Sequence, residues 1–532
     1  MIDMERRKRV MQRSIRLGHC ICDPKKPCPC DIFKEKDICL CAGERLEGPV
    51  GAVELTKLVE KAGCASKIDQ AFLKEVLADL PTFEDPRVIV GVPAGDDAGI
   101  YDMGDGKVLV QTVDVFTPSV DDPYMFGQVA AANSVSDIYA MGGKPMTALS
   151  VLGFPVRKVP DKAMNDILCG GIDKMKEAGV AIIGGHSIND GEIKAGFAVT
   201  GIADKEDIVT NAGARPGDIL ILTKPLGTGI VAFAWQIGRA DKQSVDASGK
   251  SMTTLNKTAS ELMVKFKAHA CTDVTGFSLM GHLSEMALRS GVDVEVIWDH
   301  IPLFPGVLQY AVDGILPGAI ERNKESCGKY VTNADSLAQE MVDICYDAQT
   351  SGGLLIAVAK NDADDFLKAL HAEGISEAAV IGRVAAKGAG SVYIRTDKTR
   401  QIPSPRQTKA PAQPQQEAAC CAEPPADEPA CCADGHASAG AAASEQEASQ
   451  IQQKFVDFLK SVNTPGGLDA YTKHAVNIAL SVLAKCQSCL KIHIKKAESM
   501  GFSQKEIDEA AWMGIAFGGS PVMMFYNENK NE

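Results

Sequence analysis

Long apolar runs are absent from this 532-residue sequence: nowhere do about 18 apolar residues follow one another, which excludes a membrane-spanning helix. Residues 1–18 are rich in arginine and lack the apolar stretch of a secretory signal, so a soluble, cytoplasmic protein is expected. Positive charge is also in short supply. With 55 Lys and Arg against 69 Asp and Glu the net charge is −14, which disfavours nonspecific binding to nucleic acid or an anionic membrane through bulk charge. Residues 401–449 lack apolar periodicity altogether. Rich in Ala, Pro, Gln, Glu and Ser, they cannot bury enough surface to fold alone and read as a disordered linker. The total length exceeds what one core usually supports and implies about three or four units.

Cysteine, by contrast, is plentiful and unevenly placed. Of 17, six lie between Cys20 and Cys41, four form the adjacent pairs Cys420-Cys421 and Cys431-Cys432, and two make Cys486-x-x-Cys489. In a reducing compartment such clusters do metal or redox work more often than they form structural disulfides. Only Cys64, Cys169, Cys271, Cys327 and Cys345 fall in the main body, where most would serve as buried small hydrophobes.

Between residues 50 and 400, short β-rich runs alternate with amphipathic helices, as expected of a mixed α/β (α+β) body. Residues 107–113 read as a strand ending at Asp114, and 181–183, 195–202 and 218–222 as further strands. Residues 124–141 read as a helix stopped by Gly142, Gly143 and Pro145, with Asn133 and Asp137 on one face. Ile68, Phe72, Leu73, Val76, Leu77 and Leu80 form one apolar helical face directly after the loop Gly63-Cys64-Ala65-Ser66-Lys67. Gly184-Gly185-His186-Ser187 reads as a loop whose glycines let backbone N–H groups approach an anion.

Chemistry gathers on five aspartates and one short loop. Asp96, Asp97, Asp114, Asp137 and Asp273 recur at the ends of apolar segments, where carboxylates can collect hard divalent cations that neutralise polyphosphate oxygens. Any one of them alone could equally cap a turn or a helix. Lys67 supplies a point charge for the same phosphates, and Cys64 a soft nucleophile whose thiolate a neighbouring ammonium favours.

Gly63-Cys64, Asp96-Asp97-Ala98, Ala131-Ala132-Asn133-Ser134-Val135-Ser136-Asp137, Met141-Gly142-Gly143-Lys144-Pro145, Gly184-Gly185-His186-Ser187, Thr272-Asp273-Val274-Thr275-Gly276-Phe277 and Gln349-Thr350-Ser351-Gly352-Gly353-Leu354 are seven blocks in one order. On them the stretch 50–400 closely resembles the selenide, water dikinase (selenophosphate synthetase) family, over essentially that family's whole length. The resemblance implies a two-part PurM-like (AIR synthase-related) homodimer, with a first, ATP-binding domain at 50–210 and a second at 211–400. It implies synthesis of selenophosphate from selenide, ATP and water, with release of AMP and phosphate. Carried over by position, Cys64 handles selenium and Lys67 contacts ATP phosphates. Asp97, Asp137 and Asp273 match Mg²⁺ ligands. Asp96, Asp114 and Asp137 match ATP contacts, and Gly185, His186 and Ser187 match nucleotide contacts across the dimer. The family often carries a second cysteine two positions after the first; Ser66 stands there, so a local thiol pair is excluded.

Residues 450–532 resemble the all-α alkylhydroperoxidase D (AhpD) and carboxymuconolactone decarboxylase superfamily. Cys486, Cys489 and His493 fall on one side of a helix, where the imidazole can lower a thiol pKa for peroxide or disulfide chemistry. The family's glutamate, twelve residues before the first cysteine, is replaced by His474. Residues 1–49 hold three Cys-x-Cys pairs, Cys20/Cys22, Cys28/Cys30 and Cys39/Cys41. They are similar to the catalytic subunit of ferredoxin:thioredoxin reductase. That similarity implies a [4Fe-4S] cluster on Cys20, Cys28, Cys30 and Cys39 beside a redox disulfide of Cys22 and Cys41. A structural zinc site is the rival.

The leading expectation is therefore a selenophosphate synthetase fused to two thiol-redox modules that supply reduced selenium with the help of a thiol reductant. A PurM-like ligase or kinase acting on another small substrate would keep the fold but not need Cys64 beside Lys67. A selenium- or metal-binding carrier would not need the aspartates.

Overall fold

The computed structural model describes residues 3–21, 27–44, 53–68, 70–78, 84–92, 95–156, 158–333, 337–397, 469–484 and 487–518. The expected linker at 401–449, Cys22 and Cys486 lie outside the described residues, as does the side chain of Cys489. The chain divides into two compact units, Met1–Gln413 and Pro414–Glu532. Among the described residues no helix is long and apolar enough to cross a membrane.

In the larger unit, six strands form one sheet: β1 (Val88–Val90), β2 (Gly99–Asp102), β3 (Lys107–Phe116), β4 (Lys144–Phe154), β5 (Ala181–Asn189) and β6 (Lys194–Asp204), in the order β1-β2-β3-β6-β4-β5. The period of two along β3 buries Val108, Val110, Asp114 and Phe116 on one face, so a carboxylate occupies a core position. Against that face packs the helix Pro123–Ala140, started by Asp122, which accepts from the Met125 amide at 2.6 Å, and by Pro123 at its first position. Its glycine and alanine residues let it lie very close to the helix Asp161–Ala178. A Cβ on Gly127 would meet the Ile167 carbonyl oxygen at 1.9 Å, and one on Gly170 the Tyr124 carbonyl oxygen at 1.9 Å.

Two sequence expectations need correction here. Gly184 to Ser187 is not a loop: β5 continues through Asn189, its residues mostly exposed at the edge of the sheet and paired in parallel with β4. Gly185 lies so close to β4 that a Cβ there would meet Ser150 Oγ at 2.0 Å and the Ser150 carbonyl oxygen at 2.5 Å. The helix Gln70–Ala78 forms as expected, but its apolar face is not buried in this chain, for Phe72 is 55% and Val76 51% exposed.

A second sheet of seven strands follows: β7 (Ile219–Leu222), β8 (Ala270–Asp273), β9 (Val292–Ile297), β10 (Val331–Asn333), β11 (Leu354–Val358), β12 (Ala379–Lys387) and β13 (Val392–Arg395), in the order β10-β13-β9-β12-β7-β11-β8. Trp298, Tyr310, Leu283 and Met286 anchor the larger core beside it. Edge strand β8 is wholly buried, is contacted by the helix Pro123–Ala140, and ends on Asp273 opposite Leu354. The carboxylate at its tip is thereby delivered to the first domain.

The N-terminal helix Met4–Leu17 is held by Arg7, which forks onto Glu44 at 2.6 and 2.5 Å and reaches Asp37 at 2.9 Å. Glu44 in turn accepts from the Cys39 amide at 2.8 Å, so the ion pair shapes the turn carrying Cys39 and Cys41.

In the smaller unit, helices Ala470–Leu483, Gln487–Ser499 and Gln504–Gly518 enclose Ile478, Val482, Leu490, Ala497, Ile507 and Ala511. Tyr471 stacks on Phe502 with ring centroids 3.8 Å apart.

Candidate active site

Where the two domains of the larger unit meet, Asp97, Asp137 and Asp273 each place one carboxylate oxygen within 4.8 Å of the others. Asp97 precedes β2, Asp137 lies near the end of the helix Pro123–Ala140, and Asp273 ends β8. Each is aimed by a hydroxyl. Thr272 donates to Asp97 at 2.8 Å, Thr112 to Asp137 at 2.5 Å, and Ser136 to Asp273. One oxygen of Asp97 and one of Asp273 are buried with no hydrogen-bond partner. Burial and mutual repulsion push Asp97 and Asp137 well above the carboxylate range, while burial raises Asp273 to about 6. Hard oxygens that repel one another and leave lone pairs unsatisfied fit a divalent cation such as Mg²⁺.

Beside them opens a cavity of about 220 Å³ lined by Lys67, Asp96, Asp97, Asp114, Asp137 and Asp273, joined by Asn211, Phe277, His282 and others. Lys67 Nζ sits 2.5 Å from Asp114, which also accepts from Asn133 Nδ2. Burial opposes the lysine's charge, but Asp114 outweighs it, and the Lys67 pKa stands above the ordinary value. Asp96 is held at the rim by the backbone amides of Asn211, at 3.2 Å, and Asp97, at 3.0 Å.

Cys64 faces the same junction. Its amide donates to Thr350 Oγ1 at 3.0 Å, its sulfur lies 3.8 Å from Asn133 Oδ1, and it is 1% exposed. Gly63 adopts φ +62°, and a Cβ there would meet Thr350 Oγ1 at 2.4 Å. Lys67 favours the thiolate, as expected, but burial outweighs it. Burial pushes the thiol up to about 12, Lys67 relieves this only in part, and the ammonium is committed to Asp114.

Gly185, His186 and Ser187 are not brought to this cavity within the chain; they lie on edge strand β5. Several lining residues escaped the sequence reading, among them Thr112, Asn211 and His282. Burial holds His282 down to about 3, and its Nε2 accepts from the Thr275 amide at 3.2 Å. Its one visible signal was a histidine on the helix just after the block 272–277.

The N-terminal thiols Cys20, Cys28, Cys30, Cys39 and Cys41 surround a second cavity of about 450 Å³, closed on the body side by Val156, Lys158 and residues 189–191. Cys20 Sγ is 3.0 Å from Cys41 Sγ, and Cys41 is disulfide-bonded to a partner outside the described residues. Among the described residues, no three of these sulfurs converge within 4.8 Å. In the smaller unit His493 faces His474 at 6.0 Å between ring centroids, so the histidine replacing the superfamily's glutamate stands beside the helix that carries Cys489. Burial lowers the pKa of both imidazoles.

Family models for AIR synthase related proteins match residues 95–203 with their N-terminal domain and 215–395 with their C-terminal domain. The carboxymuconolactone decarboxylase family model matches residues 449–526. The body is thus an AIR synthase-related two-domain fold with a carboxylate-lined cavity at its domain junction, and a helical, AhpD-like domain follows it. Over 332 residues, 62% of the chain, it is 46% identical to the selenide, water dikinase of Pelobacter propionicus and covers 95% of that protein. With the selenide, water dikinase of Geobacter sp. strain M21 the identity is 45% over 338 residues, 63% of this chain and 97% of that one. For that of Clostridium botulinum strain Eklund 17B it is 43% over 343 residues, 64% of this chain and 99% of that one. The chain belongs to the selenide, water dikinase family and is an ATP-dependent kinase.

Proposed function

We propose that the larger unit makes selenophosphate from selenide, ATP and water and releases AMP and phosphate. The observation that carries this reading is the meeting of three hard, partly unsatisfied carboxylates with a buried cysteine and a lysine at one domain junction. Asp97, Asp137 and Asp273 would hold Mg²⁺, which when bound neutralises charge on the polyphosphate. Lys67, freed from Asp114 as phosphate oxygens arrive, binds them as a point charge. Asp96 and Asp114 border the nucleotide, and Cys64 holds selenium close to the transferred phosphoryl group. A buried neutral thiol keeps that step away from water.

A homodimer completes the reading. Val113, Leu149, Ile183 and Ile188, on β3, β4 and β5, are 45–66% exposed, more than a lone sheet would leave to solvent. A second copy over that face would bring Gly185, His186 and Ser187 to its partner's nucleotide. The reading divides the chain into domains at 50–210, 211–400 and 450–532, with segment 1–49 ahead and linker 401–449 between; the family matches at 95–203, 215–395 and 449–526 support the three domains.

The thiol modules would supply reduced selenium. A roomy cavity lined by five cysteines suits a polynuclear iron–sulfur cluster on Cys20, Cys28, Cys30 and Cys39 better than zinc, with Cys22 and Cys41 as the redox pair. Cys486, Cys489 and His493 would form the second redox centre.

Anaerobic chromatography of nucleotides tests the body's activity. AMP should appear from ATP and Mg²⁺ in step with selenide consumed, and Cys64→Ser should lose that dependence. AMP release that ignores selenide in the unaltered protein would contradict the reading.

A further inference from the structure

One buried charge has no part in the chemistry above. Lys224 follows β7 and is 6% exposed, and its Nζ donates to two neutral acceptors, the carbonyl oxygens of Thr254 at 2.7 Å and Ser351 at 3.0 Å. Among the described residues no carboxylate lies within ion-pair distance of it; Asp273, farther off, favours its charge, but burial outweighs this and brings its pKa down to about 7. Holding an ammonium there costs stability, so a lysine at this place needs a reason other than packing.

Its two acceptors belong to segments that reach both halves of the site. In the turn 349–353, Thr350 Oγ1 takes the Cys64 amide at 3.0 Å, and the Ser351 amide donates to Asn133 Oδ1 at 2.7 Å. Asn133 spends its other end on Asp114, the partner of Lys67. The next residue, Gly352, accepts from Asn256 Nδ2 at 2.9 Å, and the same amide group donates to Ser136 Oγ at 2.9 Å. Ser136 is the hydroxyl that aims Asp273. Asn256 lies two residues after Thr254, the other acceptor of Lys224. Residues 350–352 therefore reach the thiol loop directly, the lysine–aspartate pair through Asn133 and the carboxylate cluster through Asn256 and Ser136, and Ser351 holds an unfavourable φ of +47°.

We propose that Lys224 is a positioning residue that keeps the thiol and carboxylate halves in register, so that the phosphoryl group of ATP passes to selenide and not to water. This rests on the function proposed above. In coupled turnover the bond from the γ-phosphorus to its bridging oxygen breaks as selenide donates an electron pair to form the P–Se bond. Water then cleaves the remaining ADP to AMP and phosphate. Each ATP thus yields one selenophosphate, one phosphate and one AMP. Out of register, water attacks the γ-phosphorus instead, its proton goes to solvent, and each ATP yields two phosphates and one AMP.

The test compares products of the full-length chain by ³¹P NMR under anaerobic conditions with ATP, Mg²⁺ and selenide. The variants are Lys224→Met, which matches the stem and removes the donors, and Thr350→Val, which removes only the acceptor for Cys64. Wild type should give close to one selenophosphate per AMP, and both variants should fall at least about threefold in that ratio, more than they fall in AMP formation. A folded Lys224→Met with an unchanged ratio overturns the proposal. If that variant fails to fold, an unchanged ratio in Thr350→Val overturns it. Wild type that forms no selenophosphate at all removes the underlying function and this inference with it.

Discussion

Asp347 illustrates how a single side chain here trades charge against position. It accepts from the amides of Gly229 at 3.0 Å and Ile230 at 3.2 Å, at the start of the helix Thr228–Gln236, yet burial raises its pKa from 3.8 to about 7. Between those values the folded chain keeps a proton that the unfolded chain releases, so this group's contribution falls as pH rises through that window. Asp347→Asn keeps an acceptor and drops the charge. Its melting temperature relative to wild type should therefore climb between about pH 4 and about pH 7; a gap independent of pH would refute the assignment. Cys64 makes the opposite point about reactivity. As a buried neutral thiol it should react with iodoacetamide about a hundredfold more slowly at pH 8 than the exposed Cys169, followed by peptide mass spectrometry. Faster labelling of Cys64 would mean that Lys67 activates it after all.

At the scale of elements, the site depends on two close approaches. One is the turn at Gly63, where a Cβ has no room beside Thr350 Oγ1 and the backbone is left-handed. Gly63→Ala should cost about 1–3 kcal/mol in chemical unfolding and lower turnover with it, whereas Gly104→Ala, with positive φ but open space around it, should leave turnover unchanged. The other is the crossing of the helices Pro123–Ala140 and Asp161–Ala178.

Periodicity made much of this visible beforehand. The strand leading to Asp114, the helix bearing Asn133 and Asp137, and the loop of Cys64 and Lys67 all stand where their patterns put them. Local signals failed where the partner is distant in sequence. Gly184-Gly185 looks like a break but extends along a sheet edge. Thr350 lies 286 residues from the Cys64 amide it receives, and Asn256 lies 120 from Ser136, so no window of sequence exposes either pairing.

For the whole molecule, a carboxylate-lined pocket and a buried thiol share the junction of two domains, while five further cysteines line a cavity of the N-terminal segment and the helix Gln487–Ser499 carries Cys489. On the proposed function, Lys67 rests on Asp114 and Cys64 stays buried until a polyanion and a chalcogen displace these contacts. Proton-decoupled ³¹P NMR of the unaltered chain with ATP, Mg²⁺, selenide and a thiol reductant tests this most directly. A selenophosphate resonance with ⁷⁷Se satellites, growing in proportion to AMP and absent in Asp97→Asn, is the predicted result. AMP and phosphate accumulating with no such resonance would contradict it.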